Sequence, residues 1–169
     1  MTTSKRDLLI VALRNAYALE GQAETNLSTI HGRLEHYPEL KARIGQHLEE
    51  TKRQKARVEE CLGQLGESPS SLKETATKLA ASVQGMFHMT ADDEVLKNAF
   101  TAYAFEHFEI ASYKSLIAMA EACGETQIAT ACQGILREEE TTAQWLGENI
   151  ESITRAYVGR ETAGLEAKG

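Results

Sequence analysis

The sequence predicts an all-α fold, a four-helix bundle made of two copies of one helical hairpin. Only two of the 169 residues are prolines, and the abundant Ala, Leu, Glu, Lys and Gln lose little side-chain freedom in a helix. A repeated string is the second observation, because residues 16–20 read AYALE and residues 102–106 read AYAFE. One predicted helix later, residues 49–54 (EETKRQ) match residues 139–144 (EETTAQ) at all but two positions. A duplicated hairpin explains this order, and four such helices form a bundle.

Local signals define the first hairpin. Ser4, with Asp7 three residues later, forms an acidic relative of the capping box and starts the first helix. Apolar residues then recur at steps of three and four as far as about His31. The residue before Pro38 is disfavoured in helical geometry, which ends the first helix. Pro38 itself suits the first turn of the second helix. Gly66 is expected to end that helix.

A long link joins the two hairpins. Residues 68–71 (SPSS) interrupt the chain and offer caps for a short additional helix from about Leu72 to Gln84. The link from Gly66 to Thr90 is long enough to run the length of a bundle, which permits a crossover connection. We therefore expect an additional short helix within the crossover.

The second hairpin contains the two remaining long helices. The first of them starts at Thr90 or Asp92 and ends near Gly124, and the last helix starts after Thr126 and frays near Gly159. We therefore expect residues 1–158 to form one helical bundle domain. Residues 159–169 are polar and contain glycine, so we expect a flexible C-terminal tail.

Charge and hydrophobicity exclude several classes of protein. The net charge of −7 disfavours a nucleic-acid-binding protein, because phosphate neutralisation requires a surplus of Lys and Arg. The basic cluster at residues 52–57 is flanked by glutamates, which is typical of a solvated helix face. No apolar run reaches the 18 or so residues of a membrane span. We therefore expect neither a nucleic acid nor a membrane as partner.

Cysteine usage indicates a reducing compartment. The chain has three cysteines, an odd number without the close spacing of a zinc site. Free thiols are the default for such a set. The start of the chain reads as an amphipathic helix rather than a signal peptide. The expected location is the cytoplasm.

Acidic residues lie where the core of the bundle should be. Glu20 and Glu106 occupy the same place in the two repeated strings, close to apolar stripes, and Glu139 lies about 40° from Ile135 on a helical wheel. Charged groups in a core are costly unless they are paired. Four carboxylates, one at the middle of each long helix, would offset two divalent cations in a dinuclear iron or manganese centre. The candidate metal ligands are Glu20, Glu50, Glu106, Glu139, Glu109, His47 and His107.

Each candidate ligand also has an ordinary structural interpretation. Glu20 and Glu106 could pair with Lys or Arg at a helix edge, and Glu50 and Glu139 lie in acidic runs that could face solvent. A single histidine beside an apolar stripe is more often a hydrogen-bonded core residue. Hydrogen-bonding roles around the ligands are expected for Gln54, Gln144, Tyr17 and Tyr103.

Three segments resemble a known family. Residues 48–51 (LEET), 106–113 (EHFEIASY) and 137–140 (REEE) are similar to the YciF/YciE family of bacterial ferritin-like stress proteins. The resemblance extends from about Asp7 to about Ser152. It implies a rubrerythrin-like helical domain, a homodimer, a metal site and a role in stress response whose biochemistry is poorly defined.

The sequence departs from the usual ferritin pattern at the second helix of each hairpin. Bundle proteins with two metal ions carry Glu-x-x-His there, yet Glu50 is followed by Arg53 and Glu139 by Thr142. The motif is reversed in the pair His47 and Glu50. This leaves open whether each metal position has an imidazole ligand and whether His47 points at the same centre.

Two functions are therefore compared. The first is a ferritin-like stress-response protein that binds iron or manganese and detoxifies an oxidant or free iron. The alternative is a non-catalytic dimeric helical protein, with an interaction or structural role and a degenerate metal site. A cysteine-based peroxidase is disfavoured, because no activating histidine lies near Cys123 or Cys132 in the sequence. The residues alone do not decide whether the protein is an enzyme.

Overall fold

Four long helices make up most of the described part of the protein. The computed structural model describes residues 4–67 and 94–169, and these residues contain helices and no strand. The helices are α1 (Lys5–Arg33), α2 (Pro38–Gln64), α3 (Glu94–Cys123) and α4 (Thr126–Thr162). The predicted all-α four-helix bundle is confirmed. The short helix predicted at residues 72–84 lies outside the described residues.

Most of the predicted helix ends are observed. The Ser4 hydroxyl accepts a hydrogen bond from the Asp7 backbone N–H at 3.1 Å, and the Asp7 carboxylate accepts one from the Ser4 N–H at 3.1 Å. Pro38 occupies the first turn of α2. Gly66 and Gly124 follow α2 and α3 with φ of 76° and 77°. A left-handed residue at this position is a common helix stop and favours glycine.

The last helix ends later than predicted. It continues past Gly159 to Thr162, and the left-handed glycine is Gly164, with φ of 68°. A glycine inside a helix costs only about 1 kcal/mol, which neighbouring helical turns can absorb. The Ala167 carbonyl oxygen accepts a hydrogen bond from the Tyr37 hydroxyl at 2.7 Å. Helix α4 thus extends four residues past residue 158, and the division into a bundle domain and a flexible C-terminal tail stays a prediction.

The two hairpins pack against each other in an antiparallel arrangement. α1 packs on α2, α3 packs on α4, and the hairpins meet through α1 with α3 and α2 with α4. The Lys5 ammonium lies 3.5 Å from the Ala122 carbonyl oxygen, whereas Arg33 pairs with Glu94 at 2.5 Å. Arg6 donates a hydrogen bond to the Leu65 carbonyl, so α2 ends beside the start of α1. The chain thus leaves α2 at one end of the bundle and enters α3 at the other, as a crossover requires.

A polar layer divides the core. One apolar cluster contains Leu13, Val58 and Leu116, and a second contains Ile44 and Leu146 near the other end. Between them every helix changes from apolar to polar residues on its buried face. The buried polar side chains of this layer are Glu20, Arg43, His47, Thr51, Gln54, Glu106, Glu109, Glu139 and Thr142. None of the four described helices has the apolar length needed to cross a membrane.

Candidate metal centre

Four side chains from three helices converge in the polar layer. His47 of α2, Glu106 and Glu109 of α3 and Glu139 of α4 each offer one ligand atom, and these atoms lie within 4.8 Å of one another. His47 Nε2 lies 3.2 Å from Glu106 Oε1 and 3.7 Å from Glu139 Oε2. Glu106 and Glu109 share a helix face because they are three residues apart. The bundle thus brings together four side chains that lie between His47 and Glu139 in the sequence.

Glu20 adds the fourth helix to this group. It is buried on α1, and its Oε1 accepts a hydrogen bond from the Tyr113 hydroxyl. The charge of His47 lowers the pKa of Glu20 and the charge of Glu106 raises it, as expected for a carboxylate near the cluster. Glu20 is therefore a neighbour of the four convergent ligands, held in place by a buried tyrosine.

The unpaired polar atoms of the cluster indicate whether these residues fit a metal ion. Each polar atom buried without a partner lowers the free energy of unfolding by about 1–3 kcal/mol. A divalent cation would be a common partner for them, because carboxylate oxygens and an imidazole nitrogen are the ligands that iron and manganese use in bundle proteins. The donor set therefore fits a divalent metal. Among the candidate ligands, the buried atoms without a hydrogen-bond partner are Glu20 Oε2, His47 Nε2, Glu106 Oε2, Glu109 Oε1 and Glu139 Oε2.

The electrostatics of the centre also favour an added positive charge. Burial raises the pKa of Glu20 to about 8, although the hydrogen bond from Tyr113 acts in the opposite direction. Burial, reinforced by neighbouring carboxylates, raises the pKa of Glu109 and of Glu139 well above the usual range. Buried acids without a cation hold their protons. A bound metal would favour their ionised forms, so metal binding and proton release are coupled.

His47 carries a positive charge when no metal is bound. Burial lowers its pKa, but the carboxylates of Glu106, Glu50 and Glu139 together raise it more, to about 10. Nε2 of this imidazolium carries a proton and lies 3.2 Å from Glu106 Oε1. A metal ion at the centre would take the place of that proton.

The second nitrogen of His47 has a defined set of partners. Nδ1 lies 3.2 Å from the Thr142 hydroxyl oxygen and 3.3 Å from Glu50 Oε2. The Thr142 hydroxyl donates its proton to the Glu138 carbonyl oxygen at 3.1 Å, so its oxygen acts toward His47 as an acceptor. Nδ1 therefore carries a proton, which leaves Nε2 as the nitrogen available to a metal.

Besides Glu20, two of the predicted ligands lie outside the convergent group. Glu50 is at the edge of the layer with its side chain 13% exposed and is held by Arg43, His47 and Gln46. Burial raises the pKa of Glu50, but these contacts have the larger effect and lower it to about 2. His107 is exposed and packs edge-on against Tyr103, with ring centroids 4.7 Å apart. One residue is about 100° of helical turn, which rotates His107 away from the face of its neighbour Glu106.

Sequence reasoning missed three supporting residues. Tyr113 lies seven residues after Glu106, and this helical spacing is a signal that could have identified it. Thr142 falls on the buried stripe of the last helix, but the sequence gives no sign that its hydroxyl contacts a ligand. Arg43 has the appearance of an ordinary surface arginine, and nothing in its sequence context marks it as buried. Gln54, which was predicted to support the ligands, donates hydrogen bonds to Glu139 and to Glu138.

Two of the three cysteines lie in surroundings that disfavour reactivity. Cys61 and Cys132 are buried free thiols, and burial raises their pKa values to about 11 and about 12. The thiolate is the reactive form. A peroxidase that relies on Cys132 is therefore disfavoured by the structure as well.

The raised pKa values predict how the stability of metal-free protein depends on pH. The pKa of Glu20 rises from 4.5 to about 8 on folding, and that of His47 rises from 6.5 to about 10. Between these values the folded chain holds more protons than the unfolded chain, so the free energy of unfolding falls as pH rises from about 5 to about 9. Denaturation in the presence of a chelator measures this slope. Glu20→Gln should flatten the slope between pH 5 and 8, and stability that is constant or rises in wild-type protein over that range contradicts the account.

The centre is found in a chain with recognisable relatives. Residues 4–159 match the family described as "Domain of unknown function (DUF892)". Protein YciF of Escherichia coli (strain K12) is 32% identical over 144 residues, which cover 80% of this chain and 84% of that protein. The family match includes every residue of the convergent group.

Solved structures show the same fold. A protein from Xanthomonas campestris pv. campestris is 41% identical, with a TM-score of 0.79, and the match covers 94% of this chain and 98% of that one. The crystal structure of the E. coli stress protein YciF superposes with a TM-score of 0.68 at 24% identity and covers 88% and 96% of the two chains. That superposition shows a shared fold, and the family match and the 32% identity to YciF show that the sequences are related as well. The chain belongs to the YciF family, the domain family DUF892.

Proposed function

We propose that this protein binds iron or manganese in the polar layer of its bundle and acts in stress defence, on an oxidant or on free iron. The observation that supports the proposal is the convergence of His47, Glu106, Glu109 and Glu139 within 4.8 Å of one another, each with a buried atom that has no hydrogen-bond partner. An apolar core would be more stable than this layer unless a cation pairs with the acids. The relative from E. coli is described as a stress protein, which agrees with a defensive role.

The chain's own residues would hold and insulate the metal. The ligands would be His47, Glu106, Glu109 and Glu139. Glu20, on α1, would bind the metal ion as well or offset its charge. When bound, iron or manganese would supply the electron-transfer chemistry with oxygen or peroxide. Tyr113 orients Glu20, Gln54 orients Glu139, and the apolar clusters on both sides exclude water.

Removal of one ligand should remove the metal. Protein purified without chelator is expected to contain iron or manganese by elemental analysis, and Glu106→Ala and Glu20→Ala are expected to lose it. Adding Mn²⁺ to metal-free wild-type protein should raise its melting temperature, because a ligand at 100 times its dissociation constant adds about 2.7 kcal/mol of stability. The two variants should lose most of this increase.

His107→Ala is the matched control for these variants. It removes a residue next to Glu106 that the structure places at the surface, and it should keep the metal content and the thermal shift. Metal-free wild-type protein whose melting temperature does not respond to Fe²⁺ or Mn²⁺ would contradict the proposal.

A second candidate function has its own supporting observation. Leu8, Val11 and Phe108 have exposed fractions of 51%, 52% and 53%. Phe108 borders a groove of about 390 Å³ between α1 and α3, and Leu8 and Val11 continue the face of α1 that includes Ala12 of the groove. Exposed apolar surface of this kind marks interaction sites. We infer that two chains pair through this face, which would serve an interaction or structural role with or without metal.

A charge on this face should separate the chains. Phe108→Glu would place a carboxylate in an apolar interface, so the expected result is a change from dimer to monomer in light scattering coupled to size exclusion. Val158→Glu is the control, because Val158 is equally exposed on α4. Wild-type protein that is monomeric, or a Phe108→Glu variant that remains dimeric, would contradict pairing through α1 and α3.

A further inference from the structure

Helix α2 carries two residues that could reach the centre, and only one does. His47 and Glu50 are one helical turn apart, and the sequence comparison with bundle metal sites favours the glutamate as ligand. In the structure His47 Nε2 faces Glu106 and Glu139. Glu50 is not part of the convergent group, and its Oε2 contacts Arg43 and His47 Nδ1 instead. A residue outside the set of ligands must account for this choice.

Arg43 is that residue. It lies one turn before His47 on α2, and its side chain is 7% exposed. Its guanidinium lies 3.2 Å from Glu50 Oε2 through Nη1 and donates to the Thr142 hydroxyl through Nη2. An arginine is permanently charged and has only donors. A buried guanidinium needs a carboxylate nearby, so Arg43 draws Glu50 toward itself.

The contacts of Arg43 also fix the imidazole. Thr142 accepts from Arg43 and donates its single proton to the Glu138 carbonyl. Both neighbours of His47 Nδ1, the Thr142 oxygen and the Glu50 carboxylate, are therefore acceptors. Nδ1 must supply the proton in each case, and the lone pair of a neutral imidazole is then on Nε2, inside the centre.

We propose that Arg43 is a positioning residue of the metal centre, because its guanidinium holds Glu50 and Thr142 so that His47, and not Glu50, is the ligand from α2. Thr142 stands three residues after Glu139, where a histidine would otherwise supply a ligand from α4. Its hydroxyl instead orients the imidazole of another helix. The proposal rests on the proposed function in one respect only, that the centre binds a divalent cation.

Zinc is a suitable probe because Zn²⁺ is redox-inactive and binds both imidazole and carboxylate. Protein with ¹⁵N-labelled histidine, titrated with Zn²⁺ and observed by NMR, should show one His47 nitrogen bound to metal and the other as N–H. His47→Gln assigns the signals. Arg43→Met should weaken Zn²⁺ binding about 10- to 100-fold, the usual effect of losing an outer partner of a ligand. Arg43→Lys, which keeps the charge, should retain more affinity than Arg43→Met.

A change of ligand is the readout that a purely structural role would not produce. In wild-type protein Glu50→Gln should weaken Zn²⁺ binding less than His47→Gln does. In the Arg43→Met background Glu50→Gln should weaken binding further, because the released carboxylate has become a ligand. Arg14→Met is the matched control. It breaks the Arg14–Glu67 ion pair, which lies outside the centre, and should leave the affinity and the His47 signals unchanged.

Each outcome decides the proposal. Unshifted His47 nitrogens on Zn²⁺ binding, a Glu50→Gln effect larger than that of His47→Gln, or an Arg43→Met variant with wild-type affinity and His47 signals would overturn it. If Arg43→Met does not fold by circular dichroism, the wild-type signals and the comparison of His47→Gln with Glu50→Gln decide. Wild-type protein that binds no Zn²⁺ would instead contradict the proposed metal site itself.

Discussion

The constraint on which the structure depends is a layer of buried carboxylates in the middle of an otherwise apolar bundle. Two apolar clusters hold the four helices together on either side of this layer, so the acids cannot turn to solvent without separating the helices. The unpaired oxygens of Glu106, Glu109 and Glu139 then need protons or a cation. Raised pKa values and a positively charged His47 are the response of the metal-free chain.

Much of the fold could be predicted from the sequence, because its determinants are local. The capping pair Ser4 and Asp7, Pro38 at a helix start and a left-handed Gly124 each act within one turn, and the duplicated strings revealed the two hairpins. The predicted end of α4, near Gly159, is three residues before the observed end at Thr162, because Gly159 resembles a stop signal. Whether a glycine ends a helix depends on the backbone conformation that it adopts. Of Gly159 and Gly164, only Gly164 has a positive φ.

The candidate site was predictable only where helical phase is decisive. Glu20, Glu106 and Glu139 lie on the buried stripes of their helices, and the structure brings them to one region. His107 differs from Glu106 by one residue, and this rotation places it at the surface. The exchange between His47 and Glu50 could not be predicted, because it depends on Arg43 and Thr142, which meet across two helices far apart in sequence. The pattern of charges on one helix contains no information about such contacts.

The most direct test of the account is anomalous X-ray scattering from crystals of the full chain grown with Mn²⁺. The account predicts a manganese peak in the polar layer, bonded to His47 Nε2 and to carboxylate oxygens of Glu106, Glu109 and Glu139. Manganese found only at surface acids, with the buried carboxylates paired to one another through protons, would contradict it. The layer would then be a structural feature of the bundle and not a metal centre.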